Sequence, residues 1–184
     1  LLAKNIKIIS SNDVIFLAVI GLSVFWGISQ ATMAVFPSFA KMYLNITDVF
    51  MINGVIGASG IGIAIGAVLY SRISRHYIEV GTIPLASFGM ALTLYLSTIV
   101  QSPLLLGISF LLFGVFGGMF VVPLNALIQF NAKKRVLGTI LAGNNWFHSL
   151  SMFLMLSMTT IVSYYDLDPL NTIYLILLIT VIGT

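Results

Sequence analysis

The sequence predicts an all-α, polytopic membrane protein with six transmembrane helices arranged as a 3+3 inverted repeat. The first observation is composition: of 184 residues, 59% are hydrophobic and only 7% are charged, whereas soluble domains run near a quarter charged. The second is the length of the uncharged runs. Stretches such as 14–40 and 81–100 carry no Asp, Glu, Lys or Arg, which suits the ~20 apolar residues needed to cross about 30 Å of hydrocarbon. The third is that each run is continuously apolar, without the two-residue alternation of a barrel strand, and this selects helices.

Charges and turn residues divide the chain into spans expected at 14–39, 48–70, 80–100, 104–130, 137–162 and 170–184. Asp13, Asp48 and Glu79 precede or open the first three, where a carboxylate favours the positive end of a helix dipole, so all three are expected to cap. Pro37 and Pro123 are expected near span ends and Pro84 near a span start, where a missing backbone donor is tolerated. The last run, about 15 residues, is short of a full crossing. With Leu1 in place of a starting Met, the expectation is an internal piece of a longer protein whose last helix is truncated.

Seven of the eight basic residues fall on one side of this arrangement: Lys4 and Lys7, Arg72 and Arg75, then Lys133, Lys134 and Arg135. The other side carries Lys41 with Asp48, Asp166 and Asp168. Positive residues collect in cytoplasmic loops, so the basic side and the N-terminus are expected in the cytoplasm. Three helices then start inside and three start outside, the inverted unit that recurs in each half of certain secondary transporters. No residue-level repeat links the triplets. The absence of cysteine removes a disulfide framework and a thiolate nucleophile. No cofactor, metal or nucleic-acid partner is expected, since no basic cluster interleaves with aromatics.

In the second span Gly54, Ala58, Gly62 and Gly66 recur every four residues, and Gly114 and Gly118 repeat the spacing in the fourth. Small residues at this interval let helix backbones approach closely. Polar residues at membrane depth are candidates for a site. The densest group is Asn144, Asn145, His148, Ser149 and Ser151 in the fifth span, with Asn144, His148 and Ser151 on one face and His148 about 15 Å deep. Trp26 and Gln30 in the first span, Asn53 in the second, and Asn125 and Gln129 in the fourth complete the list. No Asp, Glu, Lys or Arg lies mid-span, so any carboxylate proton relay is expected elsewhere in the protein. A neutral path suits a substrate that keeps its tail in lipid. On the basic side, Glu79 is positioned to pair with Arg72 or Arg75 as a cytoplasmic latch.

Two bland matches stand beside these. Asn45-Ile46-Thr47 fits a glycosylation sequon but lies in a very short loop. Gly57-Ala58-Ser59-Gly60 has the GxSG form of rhomboid intramembrane proteases, for which His148 would be the base. It falls inside the glycine-rich seam, where GxSG arises easily, and His148 lacks the small residues that follow the rhomboid histidine.

Several segments resemble one branch of the major facilitator superfamily, the lysophospholipid transporters, including forms fused to a glycerophosphate acyltransferase. They are Phe36-Pro37-Ser38-Phe39-Ala40-Lys41, Ile78-Glu79-Val80-Gly81 with Pro84-Leu85, Pro123-Leu124-Asn125-Ala126-Leu127-Ile128-Gln129, and Arg135 leading to Asn144-Asn145. The match is to the branch's helices seven to twelve, which makes 1–184 the C-terminal half of the fold. The resemblance implies a bacterial inner-membrane transporter, not an enzyme, that moves lysophospholipid inward for reacylation. Its implied partners are membrane lipid, the N-terminal six-helix half and a fused or neighbouring acyltransferase. It also implies that the first, second, fourth and fifth helices face a central cavity, with Gln30, Asn53, Asn125, Asn144, Asn145 and His148 at the head group and Trp26 at the apolar boundary. Two departures stand out: Ser71 occupies the place of an expected acid before Arg72, and Gly143 that of an alanine before Asn144. The other readings are a facilitator for a small amphiphile or drug, and a transport-inactive anchor for an acyltransferase.

Overall fold

The computed structural model describes residues 6, 8–75, 77–166 and 168–183; Lys4 and Lys7 lie outside them. Among the described residues there is no strand, and the long helices are α1 (Asp13–Leu44), α2 (Val49–Ile73), α3 (Thr82–Ile99), α4 (Pro103–Asn131), α5 (Leu137–Tyr164) and α6 (Pro169–Ile182). The first five are long and apolar enough to cross a membrane, while α6 has 14 residues. Large apolar side chains remain exposed along them, among them Leu17, Phe88, Leu104 and Phe153. Contiguous exposure of that kind is at home in lipid and would be a liability in water.

Helix ends show why the boundaries fall where they do. Asn12, rather than Asp13, caps α1 by accepting the Ile15 N–H at 3.1 Å; a carboxamide one residue earlier takes the cap, and Asp13 sits in the first turn. Asp48 caps α2 through the Phe50 N–H at 2.8 Å, as expected. Glu79 does not cap α3 with its carboxylate: its carbonyl accepts the Thr82 hydroxyl, and its N–H donates to the buried Tyr70 hydroxyl. α1 runs through Pro37 to Leu44 because Asn45 adopts the left-handed conformation, φ 54°, and its N–H reaches the Ala40 carbonyl. That is the ordinary job of Asn after a helix, which accounts for Asn45 without glycosylation. Pro123 likewise lies inside α4; neighbouring helices tolerate an internal proline at membrane depth.

The contacts define an inverted arrangement. Central helices α1 and α4 cross antiparallel, with Gly21 against Leu124, Phe25 against Phe120 and Phe36 against Phe110. α5 packs parallel to α1, Gly27 meeting Ser151 and Met155, and α2 packs parallel to α4. α6 lies on α1 and α3 lies on α4. Exchanging α1 with α4, α2 with α5 and α3 with α6 maps these pairs onto each other, which is the 3+3 relation.

The α2–α4 seam sets the closest approach. A Cβ built on Gly62 would lie 2.1 Å from the Leu111 carbonyl oxygen, on Gly66 2.0 Å from that of Val115, on Gly114 2.0 Å from that of Ser59, and on Gly118 2.3 Å from that of Ile63. All four obstacles are backbone, which cannot swing aside. Gly54 is outside the seam, since a Cβ there meets nothing within 4 Å. Gly54 and Ala58 instead border a shallow apolar groove where the starts of α2 and α4 diverge. The four-residue repeat therefore continues in sequence past the point where the helices separate.

These distances predict opposite effects for one substitution at two sites. Gly66→Ala should destabilise the full-length protein in detergent by about 1–3 kcal/mol, the range for overpacking, whereas Gly54→Ala should leave it unchanged or raise it slightly through helix propensity. Fluorescence-detected thermal unfolding checks both.

Candidate functional site

The face between α1 and α5 gathers several of the polar residues picked out in the sequence. Helical spacing aligns Asn144, His148 and Ser151 toward α1, and the parallel register of the two helices brings Trp26 beside His148. Their ring centroids are 6.3 Å apart with planes tilted by 41°. Gly27 supplies the room, because a Cβ there would lie 2.5 Å from the Ser151 hydroxyl oxygen.

Two buried polar atoms on this face have no partner. Asn144 is 3% exposed, and neither its Oδ1 nor the buried His148 Nε2 has a hydrogen-bond partner among the described residues. A buried polar atom left unpaired costs about 1–3 kcal/mol. Ser29 Oγ, on α1, is orphaned in the same way, although Ser23 and Thr32 on the same helix donate back to the carbonyls of Val19 and Ile28. That back-bonding is the habit of helix hydroxyls, so sequence carried no signal that Ser29 would lack it.

The other predicted residues are not gathered with this pair. Asn125 donates to the Val121 carbonyl of its own helix at 2.9 Å, which satisfies that donor within α4. Asn53, Gln129 and Asn145 are exposed and Gln30 is half-buried. Asn145 and Ser149 form a second polar stripe one residue round from Asn144, with the Ser149 hydroxyl donating to the Asn145 carbonyl.

At the end where α2 and α4 terminate, Arg72, Arg75, Lys133, Lys134 and Arg135 are all exposed and share one side of the bundle. Glu79 lies at this end too, but among the described residues it forms no ion pair with Arg72 or Arg75. Its backbone is tied to Tyr70 and Thr82, and exposed arginines gain little from leaving water. The hydrolytic pairing is not assembled either: the Ser59 hydroxyl donates to the Ile56 carbonyl at 2.6 Å within the α2–α4 seam, while His148 belongs to the α1–α5 face.

A family model described as Major Facilitator Superfamily matches residues 1–156, the stretch from the chain's start through most of α5. The chain belongs to the major facilitator superfamily. Among curated relatives, it is similar to the lysophospholipid transporter LplT of Cronobacter sakazakii, 31% identical over 154 residues, which covers 80% of this chain and 37% of that protein. LplT of Escherichia fergusonii is 32% identical over 141 residues, covering 76% and 35%, and that of Klebsiella pneumoniae is 28% identical over 153 residues, covering 83% and 38%. The chain thus spans a little over a third of the length of these relatives. No solved structure matches it. Family match and helical fold together make this chain a multi-pass helical segment of a major facilitator protein.

The orphaned acceptor has a cost in stability that a substitution exposes. Asn144→Leu, close to isosteric and without the unpaired oxygen, should raise the thermal stability of the full-length protein by up to about 1–3 kcal/mol. Unfolding scans of the purified variant against wild type check this.

Proposed function

We propose that this chain is the C-terminal half of a facilitator that carries lysophospholipid across the bacterial inner membrane by alternating access. The observation that carries the reading is that the family match contains the whole Trp26–Asn144–His148 face, while the relatives that resemble the chain are named for lysophospholipid transport. The unpartnered Asn144 oxygen and His148 ring nitrogen are suited to a substrate that brings hydrogen-bonding groups, and an indole beside them offers an aromatic boundary between polar and apolar parts of an amphiphile. The path has no fixed charge mid-span, so it does not impose the cost of a buried ion on an acyl chain sliding past.

The rest of the cavity belongs to the N-terminal six-helix half, because binding sites of this fold form between repeats and halves. The basic end with Arg72, Arg75 and Lys133 to Arg135 faces the cytoplasm in this reading, following the positive-inside rule. Product would there be delivered to an acyltransferase, fused or neighbouring.

The test is transfer of labelled lysophosphatidylethanolamine between leaflets of proteoliposomes containing the full-length protein. Wild type should transfer it, and His148→Ala and Asn144→Ala should each slow transfer by about tenfold, the equivalent of one lost hydrogen bond to a charged group. Absence of transfer by the intact protein would remove lysophospholipid as the cargo.

A further inference from the structure

The end of the bundle that carries the basic loops is stepped. Gly66 on α2 meets Val115 of α4, and Gly89 on α3 meets the Phe116 ring; carried along the helices, these contacts set the end of α2 and the start of α3 about level with Leu124. α4 runs on to Asn131, so its last turns stand ~10 Å beyond its neighbours, at 1.5 Å per residue. The connection between α2 and α3 does not climb to cover them. It folds back on α2, the Ser74 hydroxyl donating to the Tyr77 carbonyl and the Glu79 N–H donating to the Tyr70 hydroxyl.

Helical spacing puts Gly118, Asn125 and Gln129 on one face of α4, so the face that α2 covers in the seam continues past the end of α2 as two carboxamides. Gln129 is exposed and Asn125 half-buried. Arg72 and Arg75 stand at the foot of the step. At its top the Lys133 carbonyl accepts the Val136 and Leu137 N–H groups at 2.9 and 3.1 Å, a tight turn that carries Lys133, Lys134 and Arg135. All five basic side chains are exposed, and none has a hydrogen-bond or ion-pair partner among the described residues. The acids of this end are Glu79 and Asp13, so bases outnumber them. Phe130 is 81% and Tyr77 70% exposed, and aromatic rings so placed settle at head-group level. Leu69 and Ile73, exposed on α2, offer apolar surface on the membrane side of Arg72.

We propose that this step binds the phosphate of a diacyl anionic phospholipid resident in the adjoining leaflet, the cytoplasmic one in the orientation proposed above, with its chains along Leu69 and Ile73. The site goes beyond the transport reading, since its occupant is a bound lipid and not cargo. Charge complementarity selects it. Unpaired bases favour a lipid whose net charge is negative, whereas a zwitterionic one brings an ammonium that they repel. The guanidinium forks of Arg72 and Arg75 suit phosphate oxygens. A free phosphate would use the charges but none of the apolar surface. The opposite end lacks this chemistry: Lys41 is its one basic residue, Asp48 and Asp168 cap α2 and α6, and the Tyr43 hydroxyl donates to Asp168.

Binding would be read on the purified full-length protein in detergent, by native mass spectrometry during titration with phosphatidylglycerol or with phosphatidylcholine. Arg72→Gln combined with Arg75→Gln should weaken phosphatidylglycerol binding about five- to twentyfold and leave phosphatidylcholine binding and the melting temperature unchanged. Lys41→Gln should alter neither lipid's binding, and inorganic phosphate should not displace the lipid. Should the arginine variant melt earlier, Lys133→Gln combined with Lys134→Gln, in a loop outside any helix, carries the same expectation. Unaltered phosphatidylglycerol affinity in these variants, an equal loss from Lys41→Gln, or displacement by inorganic phosphate would overturn the proposal. Lysophospholipid transfer is a separate measurement, so each of these results leaves the transport reading standing.

Discussion

Close backbone contact between α2 and α4 is the constraint on which the rest of the arrangement depends. In a bilayer the lipid tails are as apolar as the helices, so association has to come from packing and from bonds that water cannot compete for. Gly62 and Gly66 set against Gly114 and Gly118 bring two backbones to a distance that excludes even a methyl group. With that pair fixed, α4 is presented to α1 through the Phe25–Phe120 and Phe36–Phe110 contacts, and α1 in turn carries α5 and α6.

The pseudo-symmetric partner of that seam is built differently, and the proposed substrate path runs along it. α1 and α5 occupy the equivalent positions and the same parallel relation, but they meet through side chains: Gly27 against the Ser151 hydroxyl, Trp26 beside His148, and Asn144 buried without a partner for its oxygen. An interface held by interlocked backbone resists sliding, whereas one with unpaired acceptors has bonds still to make. A ligand or a shifted helix that supplies donors recovers the desolvation cost of those atoms. The fold thus keeps one seam tight and leaves its counterpart able to respond.

Much of this was legible in the sequence, and the failures have physical reasons. Membrane insertion forces continuous apolar runs, so helix number, class and the side on which basic residues gather were written in composition and order. The Gly62 and Gly66 repeat was readable because its period is that of the helix. Gly54 continues the repeat but not the contact, since helices that cross at an angle separate within a few turns. Proximity across long stretches of chain was not readable: nothing local in Trp26 predicts His148, nor does Tyr43 predict Asp168. Polar residues were found as a class but not sorted, because Asn125 satisfying its own helix and Asn144 left orphaned look alike in one dimension. Small differences at helix starts, such as Asn12 capping in place of Asp13, turn on a single residue of register.

The central claim is that the polar face of α5 lines a water-filled path rather than lipid, and thiol chemistry tests it directly because the described chain has no cysteine of its own. Asn145, exposed on the stripe adjoining Asn144, would be replaced by cysteine in a full-length, otherwise cysteine-free background, and reacted with a charged, membrane-impermeant maleimide. Thiols react as thiolates, which need water. The account predicts modification of the membrane-embedded protein at a rate that added lysophospholipid reduces; a thiol that stays unmodified by the charged reagent, yet reacts with a lipid-soluble one, would contradict it.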